Sequence, residues 1–454
     1  MRAKLQSLNR AGFVRSVGVL VGGTAFAQAI TVLVLPLLTR LYTPIDFSLL
    51  AVFASILAII SVVACFRVEI AIPLPESDAD AANLLALALC LSSVVAVMTG
   101  FFVWWFSTQI ADLVGQPALR FHLWLLPLGV WLASGYAAVQ FWATRKKRFG
   151  IIAKTRMTQA IGGSGTQVGL GWALFTPLGL LLGQVINSGA GFFGLGRNIL
   201  REDRAVVRQI SWAGMRQMLI RYDRFPKYST FEAFANSASA QLPVIIIAAL
   251  SVGPEAGYLM LAMRAMAAPM GLIGGAVSQV YLSRASEEMR SGRLAPFTSQ
   301  VIGGLAKSGV GPLIFAGIVS PVAFPVIFGV EWLRAGELVA WMTPWFVMQF
   351  LASPVSMTLH VTGNQHVALN LQLFGLALRV GAVLLAGYWT PSYVVEVYAI
   401  SGFIFYTAYL CVVAKLSGIK AYDLYAVVKK GFKAILAWTI AGIIAIGLSK
   451  LVSI

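Results

Sequence analysis

Lys and Arg crowd every second loop of this chain and nearly skip the loops between. The loops separate thirteen apolar stretches, at residues 17–39, 45–66, 82–106, 122–143, 154–175, 177–196, 231–252, 255–282, 301–328, 337–361, 367–388, 393–415 and 433–453. Roughly 20 helical residues, at about 1.5 Å each, cross a hydrocarbon core of about 30 Å. Positive charge that alternates from loop to loop records which side of the membrane each loop occupies. The segment before the first stretch and the even-numbered loops hold 27 of the 34 Lys and Arg. The odd-numbered loops hold only Arg40, Arg120 and Arg334. The pattern predicts a multi-pass, all-α inner-membrane protein with a cytoplasmic N-terminus.

Composition agrees. The 454 residues are 59% apolar and only 11% charged, against roughly 25% charged in soluble domains. A net charge of +17 in a soluble chain points to nucleic acid. Here the charge is confined to alternate loops, so topology and attraction to anionic headgroups account for it and no nucleic-acid partner is expected. Cys65, Cys90 and Cys411 lie far apart in apolar runs, so neither a disulfide framework nor a metal site is expected. The basic N-terminus lacks a clear small-residue cleavage site and reads as the end of a retained first helix.

The chain repeats itself. The second stretch enters as LYTPIDFSLLAVF and the eighth as LSVGPEAGYLMLAM, with Pro44 and Pro254 210 residues apart. At nearly the same offset, FRVEIAIPLPESD near 66–78 corresponds to SQVYLSRASEEMR near 278–290. Six spans separate the copies, so the halves share one orientation, which predicts two six-helix lobes around a central cavity. The expected division is a lobe over 1–200, a basic linker with an interfacial helix over 201–230, a lobe over 231–415, and an interfacial segment with an extra span over 416–454.

One string, Gly189-Ala-Gly191-Phe-Phe-Gly194, fits GxGxxG. It lies in a span with no preceding strand, so dinucleotide binding is not expected. Its glycines, like Gly165/Gly169, Gly179/Gly183 and Gly271/Gly275, read as points of close helix approach. His122, His360 and His366 are scattered, and no HExxH, GxSxG or Walker loop appears. No metal, cofactor or catalytic chemistry is expected.

The informative residues are cations at membrane depth. Arg264 lies about ten residues into the eighth span, Arg379 about twelve into the eleventh, and Lys307 about six into the ninth. An Arg at the midplane costs at least about 2.5–3.5 kcal/mol, so it faces a wet cavity or a partner. Asp46, Glu69, Glu255 and Glu396 all fall near span ends. A cation without a central carboxylate invites an anionic ligand, and phosphate suits guanidinium. Gln28, Asn236, Gln241, Gln349, Asn370 and Gln372 add amides at membrane depth. Each suits a sugar hydroxyl or a neighbouring helix.

Three blocks, LYTPIDFSLLAVFASILAIISVVACFRVEIAIPLPESDADAANLLALAL, FPKYSTFEAFANSASAQLPVIIIAALSVGPEAGYLMLAMRAMAAPMGLIGGAVSQVYLSRASE and FGVEWLRAGELVAWMTPWFVMQFLASPVSMTLHVTGNQHVALNLQLF, resemble bacterial polysaccharide exporters of the Wzx/PST type. These belong to the multidrug/oligosaccharidyl-lipid/polysaccharide flippase superfamily. The resemblance spans about residues 13–415 and implies two six-helix lobes, a cationic cavity and alternating access. It implies a cargo of undecaprenyl-pyrophosphate-linked oligosaccharide (an O-antigen, capsule or exopolysaccharide unit) moved from the cytoplasmic to the periplasmic leaflet. Arg264 stands where the family's eighth helix carries a basic residue. Membrane lipids, a polysaccharide polymerase and a chain-length regulator are the partners implied. The thirteenth span departs from the usual twelve. The alternatives are a multidrug/cation antiporter, which needs buried carboxylates for its cargo, and a membrane polysaccharide polymerase, which needs a large outer loop. No outward loop exceeds about fifteen residues.

Overall fold

The computed structural model of the chain describes residues 18–19, 21–251, 253–419 and 421–452. The basic residues Arg2, Lys4, Arg10 and Arg15 lie outside this set. The described residues are overwhelmingly helical and include no strand, and eleven helices among them are long and apolar enough to cross a membrane. The all-α membrane architecture expected from the sequence is therefore the one observed.

The chain divides into two compact units. The first runs through Tyr42 and then over Leu49–Gln241, and the second comprises Thr43–Ser48 and the described residues from Leu242 onward. Unit 1 contains α1 (Val21–Leu41), most of α2 (Pro44–Val63), α3 (Asp78–Leu113), α4 (Leu125–Arg145), α5 (Phe149–Trp172), α6 (Leu178–Gly189), α7 (Gly191–Glu202), α8 (Trp212–Arg221) and the start of α9 (Thr230–Leu250). Unit 2 contains the end of α9, then α10 (Glu255–Arg290), α11 (Leu294–Leu305), α12 (Gly311–Phe328), α13 (Leu333–Ala352), α14 (Gln365–Trp389), α15 (Val394–Ser417) and α16 (Ala421–Val452).

Local chemistry sets several boundaries. Ser77 opens α3 by accepting from the Ala79 N–H at 3.1 Å, and Asp78 and Asp80 follow in the first turn, where carboxylates favour the helix dipole. Gly418 closes α15 in the left-handed conformation at φ 81°. Ser211 caps α8 through the Gly214 N–H at 3.0 Å. This short helix, within the stretch expected to lie at the membrane interface, packs on α3 and leaves Trp212 and Ile220 exposed. Residues 421–433, expected as a separate interfacial segment, are the first turns of α16.

Of the thirteen expected spans, the fifth and eighth fall outside the apolar set of eleven, yet both are helices, α5 and α10. The low apolarity of α5 has a local reason: several of its polar groups are satisfied inside unit 1. Gln167 donates to the Leu180 carbonyl at 3.2 Å, its own carbonyl accepts from Tyr42 Oη at 2.6 Å, and Arg156 donates to Thr24 Oγ1 at 2.9 Å.

Glycines draw the helices of unit 1 together. A Cβ at Gly183 of α6 meets the Gly163 carbonyl of α5 at 2.6 Å, and one at Gly179 meets Leu170 and Tyr42. The GxGxxG glycines do the same: Gly189 abuts Leu132 and Gly191 abuts Tyr136 on α4. Gly165 and Gly169, expected to act likewise, have nothing within 4 Å of such a Cβ. Four-residue spacing is satisfied equally by either face of α5, and the pair lies on the face turned away from α6.

Candidate functional site

Helices α10 and α13 pack against each other in unit 2, and beside their contact lies a cavity of about 400 Å³. Its α10 wall is built from Met263, Ala267, Met270, Gly271, Gly274, Gly275 and Ser278, and its α13 wall includes Phe346, Gln349 and Phe350. The residues just after α13, Ser353 and Pro354, complete it. A Cβ at Gly275 meets nothing within 4 Å. Gly271 and Gly275, expected to bring helices together, therefore stand on the wall of a space they help to leave open.

Arg264 follows the lining residue Met263 on α10 and is not itself one of the cavity's lining residues. At about 100° per residue, the seven lining positions from Met263 to Ser278 span an arc of the helix into which position 264 falls. The side chain is half-buried. Gln349 is a lining residue outright. The cavity thus joins one amide with a face of Met and Phe and, among its described lining residues, no carboxylate. A space of this size falls within the range of small-molecule sites, about 300–1,000 Å³.

The other expected site residues are dispersed. Arg379 of α14 is only 5% exposed. Its guanidinium sits 4.2 Å from the Phe405 ring centroid and 5.8 Å from that of Tyr406, both on α15, an arrangement that stabilises a cation electrostatically. It does not line the cavity. Lys307 is exposed on a π-helical turn, Ala306–Val310, between α11 and α12. Gln28 of α1, Asn236 of α9 and Asn370 of α14 are exposed on their helices. Gln241 accepts from Ser55 Oγ at 3.0 Å and so joins α9 to α2 within unit 1. Gln372 is half-buried.

Two charged clusters brace the helix ends. In unit 2, Arg334 holds Glu255 at 3.1 Å, Glu337 at 3.4 Å and Glu396 at 2.6 Å, tying α10, α13 and α15. In unit 1, Arg148 takes Asp203 with two hydrogen bonds of 2.7 and 2.9 Å, and Trp142 Nε1 donates to the same carboxylate at 2.8 Å. Burial pushes the Asp203 carboxyl up, but the hydrogen bonds from Arg148 and Trp142 outweigh it and hold the group below the usual aspartate range. The aromatic and Met lining of the cavity was not distinguishable in the sequence from ordinary helix-packing residues. Only the Gly271–Gly275 spacing carried a signal, and it read as contact rather than space.

Comparisons with known proteins agree with this architecture. The profile of the polysaccharide biosynthesis protein family matches residues 37–337. No protein of curated function matches. Among solved structures, the chain is similar to the lipid II flippase MurJ in an inward closed conformation. The TM-score is 0.73 and the identity 13%, over 94% of this chain and 92% of that one. It is also similar to a multidrug resistance MATE family transporter of the MOP superfamily in an inward-facing conformation (TM-score 0.54, 13% identity, 88% and 96% covered). A MOP superfamily transporter from Pyrococcus furiosus gives a TM-score of 0.52 at 13% identity over 89% and 95%. The fold is thus that of MurJ and MATE transporters, and with two thirds of its length under the family profile the chain belongs to the polysaccharide biosynthesis protein family.

Proposed function

We propose that the chain is a flippase that carries undecaprenyl-pyrophosphate-linked oligosaccharide from the cytoplasmic to the periplasmic leaflet of the bacterial inner membrane by alternating access. Membership of a polysaccharide biosynthesis family supports a glycan cargo, and the MurJ-like fold supports a lipid-linked one. The reading is supported by the sequence position of Arg264, one residue from the cavity-lining Met263 on α10, and by Gln349 on the α13 wall of the same cavity. In this reading the Arg264 guanidinium takes the pyrophosphate with charge-assisted, bidentate hydrogen bonds. Gln349 takes a hydroxyl of the adjoining sugar, and Phe346 and Phe350 offer apolar surface to its C–H face. Arg379 and Lys307 supply further positive potential. Gln28, Asn236, Gln241 and Asn370 serve as sugar-contacting amides elsewhere along the route. No bond in the cargo is made or broken. A polysaccharide polymerase and a chain-length regulator then act on the delivered unit.

The MATE-like fold favours a second reading, a cation or drug antiporter. A cationic cargo calls for a carboxylate at its site, and the described residues of the cavity wall include none.

Both readings are tested in a strain lacking its own polysaccharide flippase. The wild-type chain is expected to restore surface polymer, Arg264→Ala to lose at least about tenfold of it at equal expression, and Arg264→Lys to retain part. Full polymer from Arg264→Ala contradicts the flippase site. Drug resistance without polymer favours the antiporter.

A further inference from the structure

Glu69 is buried where a charge has little support. It lies on the 3₁₀ turn Val68–Ala71 between α2 and α3, and is 3% exposed. Its neighbours Val68, Ala71 and Ile72 belong to a fully buried apolar cluster that also takes in Ala81, Leu84 and Trp142. One carboxylate oxygen lies 3.4 Å from Arg67 Nη1, long for a charged hydrogen bond, and the other, Oε2, has no hydrogen-bond partner. The Arg67 side chain is itself 28% exposed, so its attraction is partly screened by water.

The backbone here is held in an unfavourable form. Phe66 and Arg67 both adopt left-handed conformations, at φ 50° and 57°, which side chains with a Cβ rarely accept. Such strain persists only where surrounding packing imposes it. The Cys65 thiol, donating to the Ser134 carbonyl at 3.5 Å, anchors the entry to this bend.

The charged groups on the elements packed against the turn are engaged elsewhere. On α3, Asp78 is held by Arg145 at 3.0 Å and by Lys146, and Asp80 faces Arg221. On α4, Arg145 also donates to the carbonyls of Pro73, Pro75 and Glu76. The third element is the π-helical turn Phe225–Ser229, which leads into α9, and its Lys227 pairs with Asp223. Among the described residues, Arg67 is the one cation in salt-bridge contact with Glu69. The internal repeat gives no second copy of this group: the 210-residue offset that relates Pro44 to Pro254 puts Gln279 where Glu69 stands.

We propose that Glu69 is a proton-binding site, and that proton uptake there is the step through which a proton gradient acts on the transport cycle. The ligand is a proton, which moves from water onto the unpartnered Oε2 and leaves a neutral carboxylic acid. Neutralisation removes the hold on Arg67 and frees the strained Phe66–Arg67 bend to relax. The turn Phe225–Ser229, packed on the same site, leads directly into α9, the helix along which unit 1 gives way to unit 2. Burial raises the Glu69 carboxyl above the usual glutamate range despite its own backbone N–H and the nearby guanidinium, which both favour the charged form, in keeping with this role. The first half of the proposal stands on the site alone. The second half rests on the transport reading given above.

The test uses the full chain, as wild type, Glu69→Gln and Glu69→Asp. A carboxyl that binds protons more tightly when folded makes stability fall as pH rises from the ordinary glutamate range through the raised value. Wild type is expected to melt progressively lower as pH rises above the ordinary glutamate value, about 4.3, relative to Glu69→Gln, whose neutral amide does not titrate. Glu69→Asp is expected to keep the wild-type slope. Parallel melting curves for wild type and Glu69→Gln overturn the site. In vesicles, movement of undecaprenyl pyrophosphate bearing a fluorescent sugar is then followed with and without an imposed pH gradient. The gradient is expected to change the wild-type rate by up to about tenfold per pH unit, one proton's worth, and the Glu69→Gln rate by less than about twofold. An equal response in both overturns the coupling role while leaving the titration intact. Absence of movement in wild type under either condition overturns the transport reading, and with it the coupling, without touching the proton site.

Discussion

Arg334 and Glu396 meet at 2.6 Å, and through that contact α13 is fastened to α15 while the same guanidinium grips Glu255 on α10. Glu396 is almost wholly buried, and its second oxygen has no hydrogen-bond partner. Removing one member of a buried ion pair leaves the other charge uncompensated. Arg334→Gln is therefore expected to lower stability by about 3–5 kcal/mol, read as thermal unfolding in detergent. Adding Glu396→Gln to it is expected to recover part of the loss. Unchanged melting of the single variant contradicts a bracing role.

The Arg148–Asp203 pair gives unit 1 an acid-sensitive joint. Because the Asp203 carboxyl is held below its ordinary range when folded, its contribution is complete above the unfolded aspartate value and disappears as pH falls through the folded one. Asp203→Asn is expected to cost about 1.5–3 kcal/mol near neutrality and to flatten the loss of stability below about pH 4. An acid limb identical to that of wild type rules the pair out as its origin.

Helix approach in unit 1 is tested by two glycines of different surroundings. Gly183→Ala drives a methyl into the Gly163 carbonyl and Gln167, and is expected to cost about 1–3 kcal/mol or more. Gly165→Ala meets open space and is expected to be neutral or to stabilise by up to about 1 kcal/mol through helix propensity. Equal effects from both overturn the assignment of the α5–α6 contact.

The space beside α10 is expected to be needed open. Gly275→Leu begins from a Cβ that meets nothing within 4 Å and occupies part of the cavity, so folding and expression should persist while polymer export drops at least about tenfold. Export at the wild-type level shows that cargo does not pass this wall.

The membrane class, the helical architecture and the transporter family were all legible in the sequence, because a bilayer imposes length and charge rules that any spanning chain obeys. Arg264 stood out in the sequence because an arginine midway along an apolar stretch demands an explanation, and its role remains part of the proposal. Gly165/Gly169 and Gly271/Gly275 were not legible, because spacing shows that small residues share a face and is silent on what lies opposite. Glu69 and Glu396 read as span-end carboxylates, and only packing reveals that both are buried. Arg379 read as a cavity cation by depth alone. Its aromatic surroundings come from Phe405 and Tyr406 on the next helix, at a separation that no local pattern encodes.

The central claim is that Arg264 holds the pyrophosphate of a lipid-linked cargo, and lipid binding to the purified chain tests it most directly. Native mass spectrometry with undecaprenyl pyrophosphate and undecaprenyl monophosphate is expected to show the pyrophosphate bound at least about tenfold more tightly by wild type than by Arg264→Ala, with a smaller difference for the monophosphate. Equal affinity of the two proteins for the pyrophosphate contradicts it.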